Sequence, residues 1–292
     1  MPELPLVKEI LCKTALTKTG IPGFQYCLNP YVGCTHSCVY CYASGYVVNF
    51  SSCRPKKNLV RLLEREACKL RGEIVSIANS SDPYPRLEAE TSLTRGCLEV
   101  FSRQDCRLQI ITKSATVMRD VDLLGKVPST VALTITTDCE EVSRVIEPNA
   151  PLPSERLKAV EALVDRGVAV SVRVDPVIPF VNDNPVGLLA ALADLGVKHV
   201  TCSTYKVKRD NWQRFSAALP LAAQKLKPLY FEKGERVGGS LLLPRDVRFE
   251  LMKSIRDRVL GLGMSFGACR EGMSELNTAS CDGSWLLSSV LR

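Results

Sequence analysis

The chain has 292 residues, 46% of them apolar and 24% charged, with a formal net charge of +7. This composition is typical of an enzyme that buries a full hydrophobic core. The apolar stretches are too short to span a bilayer, and residues 1–10 lack the basic and apolar regions of a signal peptide. We therefore expect a cytoplasmic protein with no membrane partner. The excess of basic residues fits a polyanionic partner and fits equally well an enzyme that has none.

The chain alternates between strand and helix patterns. A first strand is predicted near residues 26–33. Five more short, β-branched strands follow, at residues 73–79, 107–112, 130–136, 168–174 and 197–203. Such continuously apolar runs are typical of buried parallel strands, and amphipathic helices are predicted between them. The pattern indicates an α/β fold with six β-α units, and it leaves open both an open sheet and a partial or full β/α barrel.

The domain prediction divides the chain near residue 205. Residues 1–205 hold the six β-α units, and residues 206–292 form a helical extension that packs on the barrel or closes it. Two helices are predicted in this extension, near residues 210–226 and 244–262.

Three cysteines follow the first strand: Cys34, Cys38 and Cys41, with the spacing C-x3-C-x2-C. The thirteen cysteines of the chain do not indicate a disulfide scaffold, because cytosolic thiols stay reduced. Structural zinc requires four ligands, and His36 or Cys27 would have to be the fourth. A ferredoxin-like cluster also uses four thiolates. Three thiolates in one loop instead favour a 4Fe–4S cluster with one iron left open for a further ligand.

Polar side chains are predicted to converge on the cysteine loop. In parallel α/β folds, ligands bind at the carboxyl ends of the strands. The polar residues at the ends of the predicted strands are therefore site candidates: Ser80, Ser81, Asp82, Lys113, Ser114, Thr136, Asp138, Arg173, Asp175, Ser203 and Tyr205.

The cysteine spacing, with Tyr40 just before the last cysteine, resembles the signature of the radical S-adenosylmethionine (radical SAM) superfamily. The resemblance implies a partial (β/α)6 barrel of the TIM type. It also implies a 4Fe–4S cluster on the three cysteines and S-adenosylmethionine bound at the open iron. One electron, from a reductant such as ferredoxin or flavodoxin, would cleave the cofactor to a 5′-deoxyadenosyl radical, which abstracts a hydrogen atom from the substrate.

A narrower resemblance is to the spore photoproduct lyase-like group, also labelled DNA repair photolyases. It covers residues from about 14 to 185 and rests on a series of motifs that occur in the same order: NPYVGCTHSCVYCYA, SSDPYPRLE, LTR, ITKS, RD and EPNAPLPSERL. The resemblance implies repair of a nucleic acid lesion and a radical relay through Tyr42, which could equally be a packing residue. Spore photoproduct lyases carry a hydrogen-donating cysteine near the end of the second strand. This chain has no cysteine between Cys68 and Cys97, and Cys139 is the candidate substitute.

The superfamily resemblance also implies contacts to S-adenosylmethionine. Ser81 and Asp82 would accept from the methionine amine, unless they only start a helix before the turn at Pro83. Lys113 and Ser114 would bind the carboxylate and ribose, although an isolated lysine is often just a surface charge.

Thr136 and Arg173 are further candidates for the cofactor site. Arg173 lies inside an apolar strand and needs a partner there, which would be either the cofactor carboxylate or Glu147.

The C-terminal stretch leaves two interpretations open. Cys269 and Cys281 could hold an auxiliary cluster together with Cys202 or Cys139, or the stretch could form a closing plug with tight glycine turns. The function also has alternatives. These are radical modification of RNA, a peptide or a small metabolite, and a non-catalytic iron–sulfur protein for electron transfer or metal binding.

Overall fold

The computed structural model of the chain describes residues 8–289. One eight-stranded sheet, in the order β1-β2-β5-β6-β7-β8-β9-β12, organises the fold, and two small two-stranded sheets pair β3 with β4 and β10 with β11. The strands are β1 (Thr17–Lys18), β2 (Tyr26–Leu28), β3 (Tyr31–Val32), β4 (Arg54–Pro55), β5 (Glu73–Ile77), β6 (Cys106–Thr112), β7 (Ser129–Thr134), β8 (Ala169–Val177), β9 (His199–Thr204), β10 (Glu235–Val237), β11 (Ser240–Leu242) and β12 (Ser265–Ala268).

Helices connect the parallel strands. They are α1 (Leu59–Ala67), α2 (Glu88–Thr91), α3 (Leu93–Phe101), α4 (Val121–Leu124), α5 (Glu140–Ile146), α6 (Pro153–Asp165), α7 (Val186–Asp194), α8 (Arg209–Ala218), α9 (Pro220–Phe231), α10 (Arg245–Gly261) and α11 (Leu286–Ser289), with 3-10 turns at Ala43–Gly45, Ala115–Asp120 and Ser274–Leu276. Within residues 8–289, no helix combines the length and the apolar character needed to cross a membrane.

The predicted partial barrel is confirmed. Strands β2, β5, β6, β7, β8 and β9 run parallel to their neighbours in chain order, and they correspond to the six predicted strands. The first predicted strand is divided, however, because β2 ends at Leu28 and β3 begins at Tyr31. Pro30 lies between them, and proline has no backbone N–H to donate to a strand ladder.

The two faces of the sheet differ in chemistry because successive strand residues point to opposite sides. On the outer side, Val131, Leu133 and Val200 belong to the hydrophobic core. On the inner side, Gln109 and Thr201 are polar and bond to residues near the C-terminus. The barrel interior is therefore lined by polar groups, which predicts that it holds peptide backbone or ligand and not a second apolar core.

The prediction of a helical extension after residue 205 requires a correction. Strand β12 pairs in parallel with β9, with Phe266 opposite Val200, so the extension completes the main sheet. The edge of β9 would otherwise expose unpaired backbone groups, which explains why a late strand covers it.

The chain after β12 enters the barrel, and we call residues 280–287 the plug segment. The Thr201 hydroxyl donates to the Cys281 carbonyl at 2.9 Å, and the Gln109 amide donates to the Asp282 carbonyl at 2.5 Å. A side chain at Gly283 would contact Ser171 and His199, both early in their strands. The plug segment therefore fills the N-terminal half of the barrel, as a closing plug would, and the carboxyl ends of the strands remain available for a site.

Candidate active site

Cys34, Cys38 and Cys41 lie on one loop at the carboxyl edge of the sheet, with Cys34 and Cys38 buried and Cys41 half-buried. All three are free thiols. Burial and the nearby Asp82 raise the pKa of Cys34 to about 12, and burial raises the pKa of Cys38 and Cys41 as well. Cys41 raises the pKa of both Cys34 and Cys38, so the three thiols lie close enough together to interact. Such thiols become thiolates when a cation or metal compensates the charge.

The start of the cysteine loop depends on a close backbone approach at Gly33. Its φ is +85°, and an added Cβ would lie 2.5 Å from the Ser52 carbonyl oxygen and 2.6 Å from that of Phe50. The next residue, Cys34, donates its N–H to the Phe50 carbonyl at 2.8 Å. Because only glycine fits at this position, the sequence Gly33-Cys34 fixes where the first thiol lies.

Two other elements hold the rest of the loop. At the end of α5, the Ile146 carbonyl accepts from the Val39 N–H at 2.9 Å. From α8, the Asn211 amide donates to the Tyr40 carbonyl at 3.1 Å, and Arg214 donates to the Cys41 carbonyl at 3.2 Å. The guanidinium of Arg214 also lowers the pKa of Cys41, against the larger effect of burial.

Glu147 is the centre of a buried polar cluster beneath the cysteine loop. Its carboxylate pairs with Arg156 at 2.5 Å and accepts hydrogen bonds from Tyr40 and, at 3.0 Å, from Thr136. Lys113 lies 3.9 Å from the same carboxylate, and its ammonium is 5.6 Å from the centre of the Tyr40 ring. Lys113 is thus a half-buried cation beside the thiols, its side chain 17% exposed, and it lowers the pKa of Cys38 and Cys41.

The predicted residues after β5 and β6 are engaged in local bonds. The Asp82 carboxylate accepts from the Thr112 hydroxyl at 2.7 Å and from the N–H groups of Lys113 and Tyr84 at 2.8 and 2.9 Å. It therefore links the two strand ends, and its oxygens already have three donors.

Two hydroxyls in the same region are also bonded. Ser81 donates to the Tyr31 carbonyl at 2.9 Å. The buried Ser114 caps the following 3-10 turn by accepting from the N–H of Thr116 at 3.3 Å. Both hydroxyls therefore stabilise the loops that carry Asp82 and Lys113.

Glu147, one of the two alternative partners expected for Arg173, is not its partner in the structure. Arg173 pairs with Asp175 at 2.6 Å, because residues two apart on a strand share a face. The Ser203 hydroxyl donates to the other Asp175 oxygen. The phenol of Tyr42, which is 43% exposed, donates to the Asn79 carbonyl at 3.0 Å. Partial burial raises the pKa of Tyr42, and Asp175 and Arg173 both act on it, so the Tyr42 phenol lies close to this ion pair.

Cys139 lies apart from this group. It is exposed at the start of α5, and its thiol contacts the exposed Glu141 at 3.2 Å. None of the contacts found within residues 8–289 joins its side chain to the other predicted site residues. The position gives no support to Cys139 as the substitute hydrogen donor.

The donor chemistry fits an iron–sulfur cluster better than zinc. Within the described part of the chain, no three His, Cys, Asp or Glu side chains are grouped closely enough to hold a single metal ion. His36 is buried with its Nδ1 3.6 Å from Asp82. In a cluster each thiolate binds a different iron, so three soft ligands on one loop, beside the half-buried Lys113, suit a cluster whose fourth iron has no protein ligand.

Comparison with known proteins identifies the family. Residues 28–193 match the family described as the Radical SAM superfamily, and the chain belongs to it. Members of this superfamily are enzymes that use a 4Fe–4S cluster and S-adenosylmethionine. This confirms the two predicted cofactors.

Related sequences are themselves uncharacterized. A Mycobacterium bovis protein is 30% identical over 65% of this chain and 63% of its own length. A Methanocaldococcus jannaschii protein is 33% identical over 60% of this chain and 69% of its own length. The match thus spans less than two thirds of the length of the mycobacterial relative.

Solved structures share the fold. Spore photoproduct lyase with a dinucleoside spore photoproduct superposes with a TM-score of 0.65 at 18% identity, covering 88% of this chain and 80% of that one. Streptococcus suis SuiB bound to S-adenosylmethionine superposes with a TM-score of 0.56 at 15% identity. The superposition covers 86% of this chain and 52% of the SuiB chain. Both support the partial barrel.

Sequence reasoning missed the roles of several residues near the cysteine loop and the Arg173–Asp175 pair. It did not find that Glu147 organises the cysteine loop, because this residue lies more than 100 positions away in the chain. It also missed Lys206, which pairs at 2.9 Å with the buried Glu271. The alternation of strand residues could have identified Asp175 as the partner of Arg173, since the two are separated by one residue on a predicted strand.

Proposed function

We propose that the chain is a radical SAM enzyme that holds its 4Fe–4S cluster on Cys34, Cys38 and Cys41 and acts on a nucleic acid lesion or modified base. The observation that carries the proposal is the position of the three free thiols on one fixed loop, beside Lys113 and next to Tyr42, which lies close to Arg173 and Asp175. When bound and reduced, the cluster and S-adenosylmethionine supply a radical able to abstract a hydrogen atom from the substrate.

The protein residues around the loop have distinct proposed roles. The half-buried Lys113 ammonium offsets the negative charge of the Cys38 and Cys41 thiolates, and Glu147 keeps Tyr40 and Lys113 in place beside the loop. Burial of the thiols excludes water from the reactive centre, which limits side reactions.

Two cofactor contacts follow from this arrangement. Arg173 is a cation close to Tyr42, which directly follows Cys41, and its guanidinium suits the carboxylate of S-adenosylmethionine. Ser81 is half-buried at the rim, next to Asp82, and offers hydroxyl lone pairs to the methionine amine.

A basic and aromatic pocket supports nucleic acid as the substrate class. It has a volume of about 320 Å³ and is lined by Val207, Lys208, Arg209, Trp212, Phe231, Arg236, Gly239 and Leu241. It carries three cations and no acid. The Lys208 ammonium lies 5.7 Å from the centre of the Tyr46 ring, five residues after Cys41, so the pocket adjoins the cysteine loop. Cations that track phosphates beside aromatic rings that stack bases are typical of single-stranded nucleic acid binding.

The first test measures cofactor cleavage. The protein is reconstituted anaerobically with iron and sulfide and then reduced with S-adenosylmethionine present. We expect 5′-deoxyadenosine by liquid chromatography, and the Cys38→Ala protein should form none. A reconstituted wild-type cluster that produces no 5′-deoxyadenosine would exclude the radical-enzyme function and leave electron transfer.

The second test addresses the substrate. Ultraviolet-irradiated DNA containing spore photoproduct, intact DNA and RNA are each added to the reduced enzyme. We expect irradiated DNA to accelerate 5′-deoxyadenosine formation and thymine to be regenerated. Cofactor cleavage that no nucleic acid accelerates would point instead to a peptide or small metabolite.

A further inference from the structure

Cys269 and Cys281 form a pair inside the barrel that the cluster does not use. Cys269 follows β12 directly, and its N–H donates to the Cys202 carbonyl at 2.8 Å, which continues the pairing with β9. Cys281 belongs to the plug segment, and its carbonyl accepts from Thr201 of β9. Both thiols are free and half-buried.

Strand geometry directs the two thiols toward each other. A Cβ added at Gly267 would lie 2.5 Å from the Cys281 Cα, so the inner side of β12 rests directly on this residue. Cys269 is two residues further along and points to the same side. The two thiols lie close enough to shift each other's pKa, and the Arg173 guanidinium is close enough to lower the pKa of Cys269.

The pair is isolated from the other cysteines. Cys202 is fully buried in the hydrophobic core on the outer side of β9, because its neighbours Thr201 and Ser203 face inward. Cys139 is exposed at the start of α5. Neither can join Cys269 and Cys281, so the auxiliary-cluster hypothesis loses both of its additional ligands, and two thiols remain.

The surroundings make the two sulfurs chemically different. The hydrogen bond from Cys281 and the charge of Arg173 outweigh burial and Asp175, and they lower the pKa of Cys269 to about 6. The hydrogen bond with Cys269, burial and the nearby Asp282 raise the pKa of Cys281. Cys269 is therefore the thiolate nucleophile at neutral pH, and Cys281 is the thiol that holds its proton.

We propose that Cys269 and Cys281 are a redox-active dithiol that forms a reversible disulfide by exchange with a soluble disulfide. This inference does not rest on the proposed function, because it involves no cluster and no nucleic acid.

The exchange of the dithiol with the external disulfide takes two steps. The Cys269 thiolate attacks one sulfur of the external disulfide, breaks its S–S bond and releases one thiolate. Cys281 then gives its proton to solvent or to that leaving thiolate and attacks the Cys269 sulfur, which releases the second thiolate. The protein pair loses two electrons and the external disulfide gains them. The new bond ties β12 to the plug segment and removes the anion beside Arg173, which leaves that cation with Asp175 alone.

Peptide mapping can detect a disulfide between Cys269 and Cys281 directly. Arg258 and Arg270 are trypsin sites, so Cys269 is the only cysteine in the peptide 259–270, and Cys281 is the only one in the peptide that starts at Glu271. The full-length, cluster-containing protein is equilibrated anaerobically in mixtures of reduced glutathione and glutathione disulfide. Free thiols are then blocked with iodoacetamide, and the protein is digested without reductant.

We expect the two peptides to appear crosslinked, with a fraction that rises with glutathione disulfide and reverses with reduced glutathione. Cys281→Ser should instead carry glutathione on Cys269. Cys106→Ser, which removes a buried thiol elsewhere, should crosslink as the wild type does.

Two results would overturn the proposal. One is separate alkylation of both cysteines throughout the glutathione series. The other is a crosslink that no reductant concentration reverses.

A second measurement tests the role of Arg173. The iodoacetamide reaction rate of Cys269 at pH 7 should fall about tenfold in Arg173→Gln, because loss of the cation raises the pKa of the thiol. An unchanged rate would show that Arg173 does not activate the thiolate and would reject this part of the assignment. Circular dichroism of the variant confirms that it folds.

Discussion

Glu147 and Arg156 have fully buried side chains, and each carries the charge that compensates the other. Arg156 also donates to the Pro151 and Thr134 carbonyls, so its guanidinium is fixed in place. Removing one member of such a pair leaves an uncompensated buried charge, which costs more than the pair itself contributes. The Glu147 carboxylate therefore matters for stability as well as for the position of Tyr40.

We predict that Glu147→Gln lowers the free energy of unfolding by about 3 kcal/mol, since Arg156 loses its counter-charge. Urea unfolding of the iron-free protein at pH 7 measures the change. The matched control is Glu140→Gln, which breaks a surface pair with Arg144 and should cost at most about 1 kcal/mol. Equal losses in the two variants would contradict the importance of the buried pair.

The stability difference between the wild type and Glu147→Gln should depend on pH. Burial alone would raise the pKa of Glu147, but Arg156 and Lys113 outweigh burial and lower it. A lowered folded-state pKa contributes stability above the unfolded-state pKa, and that contribution is lost as the pH falls through the folded-state value. The wild-type advantage over Glu147→Gln should therefore be constant near neutrality and shrink in acid, below about pH 4. An advantage that grows in acid would contradict the assignment.

If the cysteine loop binds the cluster, iron should be lost when a cysteine of this loop is replaced and kept when another cysteine is replaced. Cys38→Ala should lose iron and the visible absorbance of the reconstituted cluster, because one of three ligands is missing. Cys97→Ala removes another buried thiol, in α3, and should keep both signals, as should the exposed Cys68→Ala. Iron analysis and visible absorbance spectra of the three reconstituted variants measure these losses. Comparable loss of iron in all three variants would mean that the ligand assignment is wrong.

At the scale of single elements, the cysteine loop takes its position from its two ends. Gly33 fixes the first thiol against residues 50–52, and Arg214 and Asn211 of α8 hold the loop near the last. The loop is thus clamped by elements that lie far apart in sequence.

We predict that Gly33→Ala displaces the loop and lowers iron incorporation several-fold, because both the φ of +85° and the neighbouring carbonyls exclude a side chain. Gly72→Ala is the matched control, since Gly72 has a φ of +80° but open space around it. Both variants should lose about 1 kcal/mol from backbone strain, but only Gly33→Ala should lose iron. Normal iron content in Gly33→Ala would show that the loop adapts.

The sequence predicts a strand well where the strand's own residues favour β-structure. Strands such as β6 and β8 are rich in β-branched residues, and their positions were predicted closely. Strand β12 reads SFGA, with glycine and alanine in four residues, and carries no such signal. It forms because the β9 edge requires a partner, which is a property of the assembled sheet.

At the scale of the whole molecule, the site depends on contacts that local patterns do not encode. The cysteine motif predicts the cluster ligands, but nothing near it in sequence indicates that Glu147 lies beneath it or that Cys281 lies against β12. The plug segment bonds to Gln109, about 170 residues earlier in the chain. Only the folded barrel brings these groups together, so their partners could not be predicted from spacing.

The plug segment should be the part of the barrel that is most sensitive to a change at Gly267. An added Cβ would lie 2.5, 2.7 and 2.9 Å from the Cα, carbonyl oxygen and carbonyl carbon of Cys281, all of them backbone atoms that cannot rotate away. We predict that Gly267→Ala lowers the free energy of unfolding by about 2 kcal/mol, as expected for overpacking. The strain can be relieved only if the plug segment moves, so hydrogen exchange of residues 280–287 should accelerate while β6 to β8 stay protected. Gly261→Ala, in α10 with open space, is the control and should be as stable as the wild type or more stable. Unchanged exchange in the plug segment of Gly267→Ala would show that β12, and not the plug, absorbs the added methyl group.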